Sequence, residues 1–283
     1  MAGKRSVQLK KIVKRYWKSR LSDEMRFLAA MSADDLQISS IPKPHFHNTF
    51  TMSALEDGSL PISFHGGTVI LHPGEMLIIG HNIPHMVDLA HINDACYYRT
   101  ATINESLLDY SVLAKIKEAE NTISKISDKS LWEKFVREQR NIESGDTDKI
   151  NTMRSLSETM LSEISKNVLL RFQVTSPYIR RIMKYMEDNY MVALSLEDLA
   201  KEVNLSPFHF TRLFKQEVGM SPHAYVTQLR VNRAQDLILR GESLLGIAYE
   251  LGFADQSHFS RTFLKLTGVS PVRFNTTSKT DVI

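Results

Sequence analysis

Two arginines stand in the same short frame. Arg212 lies in "HFTRLFKQEVGMSP" (209–222) and Arg261 in "HFSRTFLKLTGVSP" (258–271), so His-Phe-x-Arg-x-Phe, then Gly, then Ser-Pro recur at a constant offset of 49 residues. A guanidinium is always charged and carries its donors in a rigid fork, which suits a planar acceptor such as a phosphate or the O6/N7 edge of guanine. A second set of residues offers different chemistry. Seven of the 10 histidines (His45, His47, His65, His72, His81, His85 and His91) fall in one stretch of the N-terminal half. In "HFH", His45 and His47 project to the same side of a strand, because i and i+2 share a face. "HPGEMLIIGHNIPH" ends on His85 after a turn, and that third imidazole could complete a three-ligand site if the fold brings it near the first two.

The arginines need rigid rods to aim them. "SLEDLAKEVNL" reads as a short helix with Leu196, Leu199, Ala200 and Val203 on one face, and Ser206-Pro207 starts a second helix, "PFHFTRLFKQEV". The second helix turns Phe210, Leu213, Phe214 and Val218 toward the first. Helix, tight turn, helix is the layout of a helix-turn-helix, whose second helix enters the major groove of DNA. Helical spacing leaves Phe208, His209, Thr211, Arg212 and Lys215 facing outward. In the second copy, "LLGIAYELGF" supports and "ADQSHFSRTFLK" reads, with Phe259 and Phe263 inward and Gln256, Ser257, His258, Ser260 and Arg261 outward. These side chains can bond base edges or phosphates. Between the copies, residues 222–240 read as one helix of about 28 Å. That is comparable to the roughly 34 Å between successive major-groove faces.

The remainder divides by pattern. Of 283 residues, 42% are hydrophobic and 24% charged, the composition of a soluble globular chain. No apolar run is long enough to suggest a membrane helix, and the basic N-terminus lacks an apolar core and cleavage site, so no signal peptide is expected. The single cysteine, Cys96, permits no internal disulfide, and a cytoplasmic location follows. Positive charge crowds the first twenty residues, the middle is acidic and the C-terminal part mildly basic, so only part of the chain is suited to a polyanion. The expected division is a basic arm at 1–20, a β-barrel sensor at 21–104, a helical region at 105–172 and an all-helical domain at 176–275, opened by Ser176 capping a helix that begins at Pro177. In the helical region Leu156, Met160, Ile164 and Val168 form a stripe that packs on the barrel, joins a second copy, or does both.

The repeated frame also identifies a resemblance. "IAYELGFADQSHFSRTFLKLTGVSPVRF" and "LSLEDLAKEVNLSPFHFTRLFKQEVGMSP" resemble the two halves of the DNA-binding domain of the AraC/XylS family of bacterial transcription regulators. The resemblance implies DNA contacts by Phe208, Thr211 and Arg212 in the first half and by Gln256, Ser257, His258, Ser260 and Arg261 in the second. The basic residues that often follow the second-copy Phe and the final aromatic are here Leu264 and Asn275. The N-terminal half more loosely resembles the cupin-type sensor domain of such regulators, through "HFH" and "PGE…NIPH". The implied whole is an α+β multidomain chain: a cupin-like β-barrel followed by helices, then an all-α domain with two helix-turn-helix motifs. It implies a regulator, more often an activator, with double-stranded DNA, RNA polymerase, a small-molecule effector and a second copy as partners, and with neither enzyme activity nor a cofactor.

For the histidines three readings stand open: an effector pocket lined by His45, His47 and His85, a structural role, or a metal site. The pocket reading leads and no metal is assigned. "HFHNTFTMS" lacks the acid that metal-binding cupin enzymes carry after this motif, which counts against a cupin enzyme with a helical appendage. A non-specific architectural DNA binder is the other rival. Arg99, after Tyr97-Tyr98, either faces an anionic effector or is an ordinary strand arginine.

Overall fold

The computed structural model describes residues 15–18, 25–32, 44–87, 96–103, 108–117, 122–144, 149–163, 168–171 and 176–276. Its N-terminal part begins with eight strands: β1 (Arg15–Lys18), β2 (Met25–Ser32), β3 (Phe50–Asp57), β4 (Leu60–Phe64), β5 (Gly67–Leu71), β6 (Met76–Ile79), β7 (His85–Val87) and β8 (Cys96–Ile103). There follow α1 (Tyr110–Lys117), β9 (Thr122–Ile126), α2 (Lys129–Glu143), α3 (Lys149–Ser162) and β10 (Val168–Arg171). Seven strands form one antiparallel sheet in the order β1-β2-β8-β3-β6-β9-β10, and three form a second in the order β5-β4-β7.

Both faces of the large sheet are covered, so its central strand β3 is buried at nearly every position instead of alternating. Phe50, Met52 and Ala54 meet Phe135, Met153, Leu156 and Met160 of the helical layer. Leu55, Leu77 and Ile79 point the other way, toward Leu60, Ile62 and Leu71 of the small sheet.

Four expectations are corrected here. Among the described residues the hydrogen bonding does not close into a barrel; two sheets face each other, with β1 and β10 at the edges of the larger. The region 105–172 is not purely helical, because β9 and β10 extend the large sheet. "TISKI" is short and β-branched, and Thr122, Ile123, Ser124 and Ile126 are buried in it. The expected four-residue stripe ends with α3 at Ser162: Leu156 and Met160 are core, Val168 lies in β10, and Ile164 is outside the described residues. Part of the expected basic arm, Arg15–Lys18, pairs with β2 as an edge strand.

The C-terminal part is helical: α4 (Pro177–Asn189), α5 (Leu196–Lys201), α6 (Pro207–Val218), α7 (Pro222–Leu239), α8 (Leu244–Glu250), α9 (Gln256–Thr267) and α10 (Pro271–Thr276). Ser176, Ser195, Ser206, Ser221 and Ser243 each accept an N–H of the following turn, the first and third at the helix starts that the sequence marked. α5–α6 and α8–α9 are the two helix-turn-helix units, and α7 joins them. α7 is buried on several sides, with Tyr225, Val226 and Leu229 in the core of the first unit and Val231, Ala234, Leu237 and Ile238 in that of the second.

Each unit turns on a left-handed residue, Asn204 (φ 55°) in the first and Gly252 (φ 68°) in the second. Arg230 of α7 reaches across to donate to Tyr190 O (2.7 Å), Gly252 O (2.9 Å) and Val192 O (3.1 Å), tying the end of α4 to the second turn. A methyl at Gly252 would stand 3.1 Å from Met191 O and 3.2 Å from an Arg230 Nη. Gly252→Ala is therefore expected to lower stability by about 1–3 kcal/mol, from strain and displacement of Arg230 together. Asn204→Gly should change it by less than about 0.5 kcal/mol, since glycine accepts this conformation freely. Chemical denaturation of the two variants checks the contrast.

Candidate functional site

On each reading helix a phenylalanine pair one turn apart sets the rotation. Phe210 and Phe214 lie with ring centroids 5.8 Å apart, and Phe259 and Phe263 at 5.7 Å, all four fully buried. The helix starts are fastened too. Ser206 Oγ accepts the His209 N–H at 3.3 Å, and Asp255 Oδ1 accepts the His258 N–H at 2.7 Å. That backbone bond, with help from the Ser257 N–H and the Arg261 charge, holds the Asp255 carboxyl below the usual carboxylate range despite slight desolvation. Gly219 (φ 85°) and Gly268 (φ 79°) end the helices in the left-handed conformation that a helix C-terminus favours.

What remains faces solvent, much as the spacing requires. Phe208 is 79% exposed, and His209, Arg212 and Lys215 are exposed beside it. Thr211 is half-buried and donates its hydroxyl to Pro207 O at 2.8 Å, leaving its oxygen able to accept. On α9, Gln256, Ser257, His258 and Arg261 are exposed and Ser260 is half-buried. Gln256, Ser257, Ser260 and Arg261 line one shallow depression, a concave polar surface with donors of two kinds. The His258 ring leans edge-on against Phe253, with centroids 5.6 Å apart. Each predicted outward set is thus gathered on one surface of its own helix. The sequence pattern did not single out Tyr249 of α8, 89% exposed in the supporting helix of the second unit.

The histidines converge. His45 and His85 form an isolated antiparallel bridge, with N–H···O bonds of 2.9 and 2.8 Å, and His47 follows two residues later on the same side. The ring centroids stand 4.6 Å (His45–His85), 5.2 Å (His45–His47) and 5.4 Å (His47–His85) apart. One ligand atom from each lies within 4.8 Å of the others. His85 is buried, and its Nδ1 meets the Ile83 carbonyl at 2.8 Å, so that nitrogen carries the proton and Nε2 is left bare. Burial, then the neighbouring His45 charge, lowers the His85 pKa to about 3, against the raising effect of the Ile83 bond, so the ring is neutral at physiological pH.

Arg99 does not join this cluster. It lies on the opposite face of the large sheet, sharing the parity of Ala101 and Ile103, where its Nε donates to Glu56 at 2.5 Å and Nη2 to the Tyr97 hydroxyl at 2.8 Å. Glu56 also pairs with Arg140 of α2. The expected effector-facing arginine is a buried structural ion pair.

The residue that sequence reasoning passed over is Phe46, between the two histidines. The same alternation that sends His45 and His47 one way sends Phe46 the other, fully buried against Tyr225 of α7, with ring centroids 4.7 Å apart. Asn232 Nδ2 donates to the Phe46 carbonyl at 3.1 Å. Glu187 of α4 accepts from the Tyr225 hydroxyl at 2.7 Å and from Asn82 Nδ2 at 3.4 Å, while the Asn82 N–H bonds the His47 carbonyl at 2.9 Å. The segment that carries two histidines is therefore tied to the helical domain through both the Phe46 and the His47 carbonyls.

Comparison with known proteins matches residues 199–277 to a family model described as a helix-turn-helix domain. The lactose operon transcription activator of Staphylococcus xylosus is 23% identical over 74% of this chain and 77% of its own length. The virulence regulon transcriptional activator VirF of Yersinia enterocolitica is 35% identical over 32% of this chain, which spans only 34% of VirF. Among solved structures, ToxT from Vibrio cholerae, crystallised with (E)-4-(8-methylnaphthalen-1-yl)but-3-enoic acid, aligns over 90% of this chain and 100% of its own at a TM-score of 0.54 and 14% identity, a likeness of fold.

The inward and outward assignments can be separated by stability alone. Phe210→Ala should cost about 3–5 kcal/mol, as a large buried aromatic does. Phe208→Ala should stay within about 0.5 kcal/mol of the parent. Chemical denaturation checks both; a large loss at Phe208 would mean that the helix is rotated from the position described.

Proposed function

Because this chain belongs to the AraC/XylS family of transcription regulators, we propose that it is a sequence-specific DNA-binding activator that responds to an effector held by its N-terminal, cupin-like sensor domain. The observation that carries the reading is the duplicated rod: two capped helices, each locked in rotation by a buried phenylalanine pair, each offering an exposed arginine among polar neighbours. α7, 18 residues and hence about 27 Å long, separates the rods by a length suited to adjacent major-groove segments. Arg212 and Arg261 supply the forked donors for guanine or phosphate, Gln256 and Ser257 the hydrogen-bonding partners for base edges, and Lys215 a phosphate contact.

The regulatory part of the reading is a shift between two packings of the sensor on the helical domain. A second copy of the chain, joined through the α1–α3 layer, would present four rods to DNA, and recruitment of RNA polymerase would follow from DNA occupancy. No helix of the described residues is long and apolar enough to cross a membrane, and cytoplasmic action fits the reading. ToxT, a relative in fold, has been crystallised with an unsaturated fatty acid, which supports the placing of an effector on this architecture.

The test is a binding titration of the full chain at fixed salt on a duplex selected from a random pool. Arg212→Ala and Arg261→Ala should each lose about 1–3 kcal/mol and relax preference at a distinct base position, while Lys215→Ala should weaken all sequences evenly and reduce the salt slope by about 1. Unchanged affinity and preference in both arginine variants would overturn the assignment of the reading faces. Equal affinity of the parent for every sequence would favour a non-specific binder instead.

A further inference from the structure

We infer that His45, His47 and His85 form a binding site for one divalent first-row transition-metal ion, and that its occupancy is sensed by the DNA-reading domain through Phe46. Among the described residues these three are the one group of His, Cys, Asp or Glu whose ligand atoms converge. Three imidazoles with neither thiolate nor carboxylate suit zinc, cobalt, nickel or copper and give little hold on magnesium or calcium. The hydrogen bonding of His85 is also that of a ligand, since the Ile83 carbonyl fixes its tautomer and leaves Nε2 without a proton. His45 and His47 are only half-buried, which leaves the cluster an entry path and a fourth coordination position for water or a small anion.

The geometry supplies a mechanical consequence. Imidazole nitrogens bound to one ion at 2.0–2.1 Å in tetrahedral directions stand about 3.3 Å apart. Here the ligand atoms are spread over as much as 4.8 Å. Closing on an ion draws the 45–47 segment and the start of β7 together. Phe46, whose ring lies on Tyr225 and whose carbonyl is held by Asn232, belongs to that segment and touches α7 at once. Asn82 couples the His47 carbonyl to Glu187 of α4 in the same way. The ion therefore has different affinities for two packings of sensor on reader, which is the condition for coupling.

The metal site stands on its own geometry, and the sensing half rests on the reading of the chain as a DNA-binding regulator. The experiment separates them. Full-length protein without an affinity tag is stripped with chelator and titrated with Co2+, followed by visible absorption, with Mg2+ as the control ion. One Co2+ per chain is expected, with Mg2+ inert and with His47→Ala binding Co2+ roughly tenfold or more weakly. His85→Ala should do the same; if that buried change prevents folding, the half-buried His47 decides. No saturable binding, or binding unaltered in His47→Ala, overturns the site. In the second arm, Co2+ should change the affinity of the parent for its selected duplex by about fivefold or more, and leave His47→Ala indifferent to the ion. Tight Co2+ binding with no change in DNA affinity overturns the sensing. Failure to bind any duplex, with or without Co2+, sinks the regulator reading instead and leaves the metal titration standing.

Discussion

The reading surfaces depend on one constraint, the burial of two phenylalanines a single turn apart on a short helix. A helix free to roll about its axis presents no defined face, and one buried ring leaves it a pivot. Two rings at i and i+4, each contributing about 1.5–3 kcal/mol from its burial, stop the roll. The residue between them is then aimed by packing it does not itself provide. The chain applies this solution twice over turns that differ. Leu205 N–H bonds Ala200 O at 3.0 Å and Phe253 N–H bonds Ala248 O at 2.9 Å, a correspondence of 48 residues, whereas the helices correspond at 49. The extra residue in the second turn lets Asp255 take the capping role that Ser206 plays in the first. The turn tolerates an insertion; the phenylalanine spacing does not vary.

The two units are alike in themselves and unlike in their surroundings. The core of the first runs without interruption into the sensor, so that Phe210, Phe214 and Tyr225 share a cluster with Phe46, Leu55 and Ile79. The core of the second, built on Phe259, Phe263 and Phe274, contains no sensor residue among those described. Among the described residues a change in the sensor thus reaches the first unit directly and the second through α7, its Arg230 and Tyr190, which packs against both cores. The stiffness of that route comes from three carbonyls held by one guanidinium, whose burial lowers its pKa while the chain keeps it charged.

Much of the reader was legible in the sequence because its signals are local. Serine caps, Pro at the first helical position, glycine at the end and apolar residues at helical spacing each act within a few residues, and the repeat doubled every one of them. The sensor was less legible because its determinants are distant in the chain. "TISKI" becomes a strand because the edge of β6 is there to receive it, and "VLLR" because β9 then offers an edge in turn; nothing in their own spacing distinguishes them from helical flanks. Arg99 shows the same limit: its partner Glu56 stands 43 positions away and is shared with the still more distant Arg140, and pairing decides whether a buried arginine meets a ligand or a carboxylate. The "HFH" motif was half legible. Alternation put both histidines on one face, and the same rule applied to Phe46 pointed to an opposite face with a partner of its own, although no local signal named Tyr225.

The contact between the sheet domain and the reader combines a shared apolar core with a polar seam. Its apolar part joins Phe46, Leu55 and Ile79 to Phe210, Phe214 and Tyr225 in one core, and hydrogen bonds through Asn82, Glu187 and Asn232 border it. Asn82 Oδ1 and Gln228 Oε1 are buried there with no hydrogen-bond partner among the described residues, and each such acceptor costs about 1–3 kcal/mol. A packing that leaves acceptors unpaired lies above the best energy its side chains could reach. Pairing both acceptors would be worth a few kcal/mol, the scale on which differential ligand binding shifts an equilibrium between two packings. The stiff rods of the reader and the imperfect seam beside them answer opposite demands, since recognition requires one geometry held still and regulation requires two of similar energy.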